Sequence, residues 1–437
     1  MTGLSRPRPA NGSGGGRDLT ATAGARSGSA AAARGHEAGS EVAPGRTWEG
    51  AVGVDRLHRA RADRMAAVRQ EMAAHGIQAL LLSHGADLPW LTGYRAMPLE
   101  RLTMLVLPED STAVLVLPEI EAPRVPDPGG LFEVRPWAES EDPLSWVVRA
   151  LGVAGTTASR RSVGLRLGVS ERAWALHLLA LQQVMPGASW VPASRATGAL
   201  RAVKDTAEVA ALRAAALAAD EVARALQAGE VPMVGHSEAR VSAVIARRLI
   251  EAGHSEVNFS IVASGPNGAS PHHEAGDRSL GSGDLVVCDF GGSLSLAGDV
   301  GYCSDTTRTL SLGPPRAEIA EAYAVLEEAQ AAAVAAVSPG VTAESVDAAA
   351  RKVIADGGLG DRFIHRTGHG IGIEEHEDPY VVAGNRTPLV PGHAFSVEPG
   401  IYVPGRYGMR LEDIVVVTES GVEVLNRSAR DLVVVDS

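Results

Sequence analysis

The chain has 437 residues, with 40 Lys+Arg against 52 Asp+Glu, a formal charge of −12, and 45% hydrophobic residues. Clustered positive charge is what nucleic acid and anionic lipid require, and an acidic balance excludes both as nonspecific partners. Two cysteines exclude a disulfide scaffold and fit a reducing, cytoplasmic setting, and no apolar run is long enough to span a bilayer.

The first 46 residues contain no aromatic residue, and Gly, Ala and Ser fill 25 of the positions. Such a segment buries too little to offset its ordering entropy, so residues 1–46 read as a disordered tail. From 47 to 198 the pattern alternates between helical and strand periods. Residues 56–75 place Leu57, Ala60, Met65, Val68 and Met72 at helical spacing. Three short apolar runs, 77–83, 102–108 and 112–118, read as buried strands, the last two forming a hairpin across Glu109-Asp110-Ser111. This pattern predicts a three-layer α/β N-terminal domain. A long Ala-rich helix is expected over 201–229, with Asp205 and Glu208 as a capping pair. Residues 199–437 then form a second domain of α+β class, with further helices near 316–336 and 342–356.

That second domain places acids where a solvated surface would not. Asp289 follows an apolar run in VVCDFGG, and Asp305 opens a β-branched stretch in SDTTRT. Glu398 lies in FSVEPGIYV, Glu412 in RLEDIVVV, and His369 between the two pairs in TGHGIG. A carboxylate inside an apolar strand costs several kcal/mol unless a cation or donor network compensates it. Four carboxylates and one imidazole match divalent metal coordination, and two M²⁺ ions would balance the four negative charges.

The order Asp, Asp, His, Glu, Glu in these phrases resembles the prolidase and aminopeptidase P family of the methionine aminopeptidase clan. The resemblance implies a pita-bread catalytic domain behind a creatinase-type N-terminal domain. DLPWLTGYR (Asp87–Arg95) and RAVKDTAEVAALRAA (from Arg201) look like that family's N-domain and linker phrases. By the resemblance, the ligands of two divalent ions are Asp289, Asp305, His369, Glu398 and Glu412. Manganese comes first for a carboxylate-rich set, then cobalt or zinc. ASGPNGASPHHE supplies a catalytic His272, in preference to His273. HRTGHGIGIEEHEDPY supplies His365 and His376, and Tyr402 and Arg410 match positions bordering the site. Glu398 is the expected acid/base, His272 and His376 the oxyanion donors, and His365, Tyr402 and Arg410 the substrate-facing group.

The implied activity is a metallo-exopeptidase cleaving the Xaa-Pro bond of dipeptides or of peptide N-termini, in a cytoplasmic homodimer. Two rivals stay open: a non-peptidase C–N hydrolase on the same fold, and an inactive binding module. One departure from the family is that Asp289 and Asp305 are sixteen residues apart. The intervening stretch reads as an enlarged turn containing Asp299, and Asp289 is preferred as ligand because it follows a strand. His254 reads as a loop residue, and Cys288 and Cys303 as small buried hydrophobes.

Overall fold

In a computed structural model, residues 54–153, 161–296 and 300–435 are described. The tail at 1–46 and Asp299 therefore lie outside the described residues. Helix α1 (Val54–Ala74) and strand β1 (Ala79–Leu82) open the N-terminal half. β2 (Met104–Pro108) and β3 (Ala113–Pro118) form the expected antiparallel hairpin. With β4 (Phe132–Trp137), β5 (Arg166–Val169) and β6 (Ser189–Pro192) they build a mixed sheet, ordered β4-β3-β2-β1-β5-β6. Alternation along β1 sends Leu80 and Leu82 to a core with Met65, Val68 and Met72 of α1. Ala79 and Leu81 face the opposite core, with Val147, Val148 and Leu181. Both faces are covered, giving three layers.

The expected helix from 201 is interrupted. One helix (Ser194–Ala202) stops before an extended Val203, and the next runs over Thr206–Gln227. The interruption is the capping box itself. The Asp205 side chain accepts from the amides of Ala207 and Glu208, while Glu208 reaches back to the Asp205 amide. An N-cap residue needs non-helical backbone, so the helix cannot start four residues earlier.

The catalytic half pairs helices with two sheets. We label as β7 Glu256–Ser264, as β8 Leu285–Leu294, as β9 Tyr302–Cys303 and as β10 Thr306–Leu312. They belong to one sheet, which packs on the 206–227 and 238–251 helices. The second sheet contains β11 (Gly368–Gly370), β12 (Glu377–Val381), β13 (Ala394–Val397), β14 (Asp413–Thr418) and β15 (Gly421–Val424). It packs on the helices at Ala317–Ala335 and Ala343–Asp356, close to the expected limits.

The stretch between Asp289 and Asp305 is less of a turn than its composition predicts. β8 continues to Leu294 and pairs there with Tyr302, in the same register that pairs Asp289 with Thr307. Gly291 makes the tight pairing possible, because a Cβ there would strike the Ser304 carbonyl. Only residues 295–301 join the two strands.

His254 is more than a loop residue. It is buried, bonding the Leu249 carbonyl through Nδ1 at 3.1 Å and the Ser304 hydroxyl through Nε2 at 2.8 Å. Cys288 faces the helix-side core and Cys303 is equally buried; burial pushes both thiols up to about 12. Burial also pushes His254 down to about 4 from its ordinary 6.5. As pH falls below 6.5, the unfolded chain gains a proton that folded His254 refuses until about pH 4. Stability is thus full above 6.5 and is lost on acidification, by about 3 kcal/mol for this residue. Melting temperatures from pH 7 to 4 should fall less steeply in His254→Asn than in wild type, by one proton's share of the slope. His254→Asn should also start about 1–3 kcal/mol lower at pH 7, from the lost Ser304 bond.

Candidate active site

Hairpin register assembles the acids. Thr307 lies opposite Asp289, so Asp305 sits diagonally from it on the same face of the sheet. Ile261 and Phe259 of β7 lie opposite Asp289 and Gly291 and give that face an apolar margin. Glu412 arrives from the second sheet. Its amide bonds the Thr307 carbonyl, and its Oε2 accepts the Thr307 hydroxyl at 2.6 Å. His369 stands between two glycines because its neighbours press close. A Cβ at Gly368 would strike Ser396, and one at Gly370 would strike Asp378.

These side chains line a cavity of about 510 Å³ together with His272, His365, Arg366, Glu375, His376, Glu398 and Arg410. Asp305, His369 and Glu412 bring donor atoms all within 4.8 Å of one another. His369 Nε2 also lies 3.3 Å from Glu398 Oε1. Asp289 turns one oxygen to the Arg410 guanidinium, while its Oδ1 and the Oε1 of Glu412 are buried without a hydrogen-bond partner among the described residues. Tyr402 stands behind the wall, its hydroxyl 2.8 Å from both His365 Nε2 and Arg410 Nη1. His272 lines the cavity, whereas His273 turns away to the buried Glu238 at 2.7 Å. The sequence reading passed over Arg366, although it adjoins His365 in the motif already singled out. It lies 4.7 Å over the Tyr380 ring and favours the charged form of Glu398 from a distance, with no direct ion pair among the described residues.

Burial dominates the electrostatics. It drives the carboxyls of Asp305 and Glu412 well above the ordinary range, reinforced by the neighbouring carboxylates, and pushes Glu398 up to about 7. It pushes His369 down to about 3, with His376 adding repulsion, and His365 down to about 4. The cluster thus disfavours negative charge and a protonated imidazole together. A divalent cation relieves the first and uses the neutral imidazole.

Known proteins resemble both parts of the chain. Residues 210–419 match the model for metallopeptidase family M24, and residues 64–203 match the creatinase/prolidase N-terminal domain. The chain is 45% identical over 377 residues to the probable dipeptidase PepE of Mycobacterium tuberculosis, spanning 86% of this chain and 96% of that protein. It is a metallopeptidase of family M24. The crystal structure of a Thermococcus sibiricus prolidase superposes with a TM-score of 0.77 at 34% identity, covering 84% of this chain and 97% of that one. A Bacillus anthracis Xaa-Pro dipeptidase superposes with a TM-score of 0.74 at 28% identity, covering 86% and 99%. The pita-bread catalytic domain behind a creatinase N-terminal domain is therefore the fold, and divalent metal the cofactor class.

The residues present fit that cofactor. Oxygen donors with one imidazole suit hard to borderline divalent ions, and two buried carboxylate oxygens have no other partner. Chelation should therefore destabilise the protein. At a metal concentration of about 100 times Kd the ion contributes about 2.7 kcal/mol, which for a chain of this size is about 3 °C in Tm. EDTA should lower Tm by that much at pH 7.5, with Mn²⁺ restoring it. Asp305→Asn should abolish the response. An EDTA-indifferent wild type would overturn the metal reading.

Proposed function

We propose that the chain is a dinuclear metal-dependent exopeptidase that hydrolyses the bond between an N-terminal residue and proline in small peptides. The observation that carries this reading is the cavity itself. An acid–histidine cluster with orphaned carboxylate oxygens faces an apolar margin of Phe259, Ile261 and Pro271. Asp289, Asp305, His369, Glu398 and Glu412 would hold the ions, manganese by preference, which when bound supply Lewis acidity and activate water. Glu398 takes the proton of the attacking water on a carboxylate oxygen and returns it to the leaving nitrogen. His272 and His376 donate hydrogen bonds to the carbonyl oxygen as it gains negative charge. An Xaa-Pro bond offers no N–H to grip, so recognition falls to the ring. Phe259, Ile261 and His365 supply a surface for it. Tyr402 and Arg410 hold that wall, joining His365 to Asp289.

Arg366 is the cation that suits a free substrate carboxylate, which favours dipeptides over longer chains. The names of the mycobacterial dipeptidase and the prolidases support the same substrate class. A homodimer is the state we propose, as the resemblance implies. A reducing cytoplasm is the proposed setting, supported by two free, buried cysteines. Among the described residues no helix is long and apolar enough to cross a membrane.

A panel of Ala-Pro, Ala-Pro amide, Ala-Pro-Ala and Ala-Ala, assayed with Mn²⁺ and with EDTA, tests the reading. Ala-Pro should be cleaved only with metal, and Ala-Ala should not. Arg366→Met should narrow the gap between Ala-Pro and its amide. His272→Ala should lower kcat by roughly 10²–10³ with metal content intact, and His273→Ala should leave kcat within a few fold. Equal cleavage of Ala-Ala and Ala-Pro would overturn the proline specificity.

A further inference from the structure

The segment 373–378 is a partition. One side lines the catalytic cavity through Glu375 and His376. The other side, through Glu374 and Glu377, faces a cleft against the N-terminal half, lined by His84, Asp87, Arg172 and Arg201. His376, in the bend just before β12, borders both the cavity and the cleft, while Glu377, the first residue of β12, borders the cleft alone.

Two residues of the linker phrase grip the partition from the cleft. Arg201 closes the 194–202 helix and gives Nη2 to Glu374 Oε2 at 2.9 Å and to Glu377 Oε2. Its Nη1 lies 3.2 Å from Asp87 Oδ1, in the first turn of the short helix Asp87–Thr92. Lys204 gives Nζ to Glu377 Oε1 and, at 2.7 Å, to the Arg201 carbonyl. Arg172 adds a pair with Glu374 at 2.7 Å. The network is charge-balanced, three cations against three carboxylates. Its centre is dry, with the Lys204 side chain 1% exposed and that of Glu377 8%, whereas Arg172 closes the rim in solvent. A buried pair that loses one partner leaves an uncompensated charge, so such a network holds its members to one arrangement.

What it holds is next to the chemistry. Glu377 pairs across the ladder with Gly370, the residue after His369. The His369 and His376 rings stand 4.0 Å apart between centroids at 64°. We propose that Arg201 and Lys204 are positioning residues that set the His376 imidazole against the catalytic cavity by clamping Glu377. The N-terminal half thereby contributes to turnover without touching substrate. This inference rests on the reading of His376 as a group facing the substrate.

The test is a double-mutant cycle in the full-length, metal-loaded enzyme, combining Arg201→Met with His376→Ala and following Ala-Pro hydrolysis. Arg201→Met alone should lower kcat about 10- to 100-fold, with KM within about threefold and metal content unchanged. In the His376→Ala background the same step should cost less than about twofold, because the group it positions is gone. Arg201→Lys keeps the charge but loses the planar fork that reaches three carboxylates, and should fall between wild type and Arg201→Met. It also serves as the test variant if Arg201→Met does not fold. Amide exchange across 373–378, and C2 exchange of the His376 ring, should quicken in both Arg201 variants relative to exchange in the β1 region. Equal kcat losses in the two backgrounds would overturn the proposal, as would unchanged exchange at 373–378. A wild type inactive on every peptide would sink the functional reading instead, and the exchange rates would then decide the clamp by themselves.

Discussion

The constraint on which the site depends is the cost of keeping Asp289, Asp305, Glu398 and Glu412 in one cavity, three of them pushed towards the neutral acid by burial. Free chains avoid such a cluster, so the surrounding structure has to impose it. It does so with secondary structure and with a second row of buried polar contacts. Glu412 is followed by Asp413, which takes Arg308 at 2.8 Å, Gln330 at 3.0 Å and the Arg430 guanidinium. Asp305 is followed by Thr306, whose hydroxyl accepts from Asn426 at 2.9 Å, and Asn426 also bonds Asp220. Asp305 and Glu412 thus each adjoin a residue whose own hydrogen bonds are filled away from the cavity. Unfilled capacity includes Asp289 Oδ1 and Glu412 Oε1, where a cation is wanted.

Much of this was legible in the sequence because rigid presentation of an acid leaves a local signature. VVCDFGG states in seven residues that a ligand candidate sits on a buried strand. TGHGIG says the same of His369. The capping pair Asp205 and Glu208 was legible for a similar reason, since its partners are three residues apart. The start of the helix at Thr206 followed from that pair, and helical periodicity through 201–205 obscured it. The extent of the Asp289–Asp305 hairpin was misread because Ser and Gly signal turns. Here the glycines serve close strand approach and the serines pair across it.

What the sequence did not disclose are contacts whose partners are far apart along the chain. Arg201 and Glu377 are separated by 176 positions, and nothing local to either announces the other. The same holds for Glu238, a buried carboxylate that gathers Ser264, Asn267 and His273 and so orders the loop presenting His272. Local propensity has no term for such pairs. A buried charge is tolerated only with its partner in place, so the sequence shows each half of the pair as an ordinary polar residue.

The linker phrase is dense because it answers to three elements at once. Its first two cations hold the partition behind His376. Its Glu208, already committed to the helix cap, also accepts from Trp90 Nε1 at 3.0 Å and Tyr302 OH at 2.7 Å, with Arg64 at 3.2 Å. Trp90 and Arg64 belong to the N-terminal half, and Tyr302 to the strand that lengthens the hairpin bearing Asp305. One carboxylate therefore ties the N-terminal half to the metal-cluster hairpin, as Glu377 ties it to the histidine wall. Two such ties couple the N-terminal half to the elements that carry Asp305 and His376. The placement of those two elements is then shared with the junction between the halves and is not left to the catalytic sheets alone.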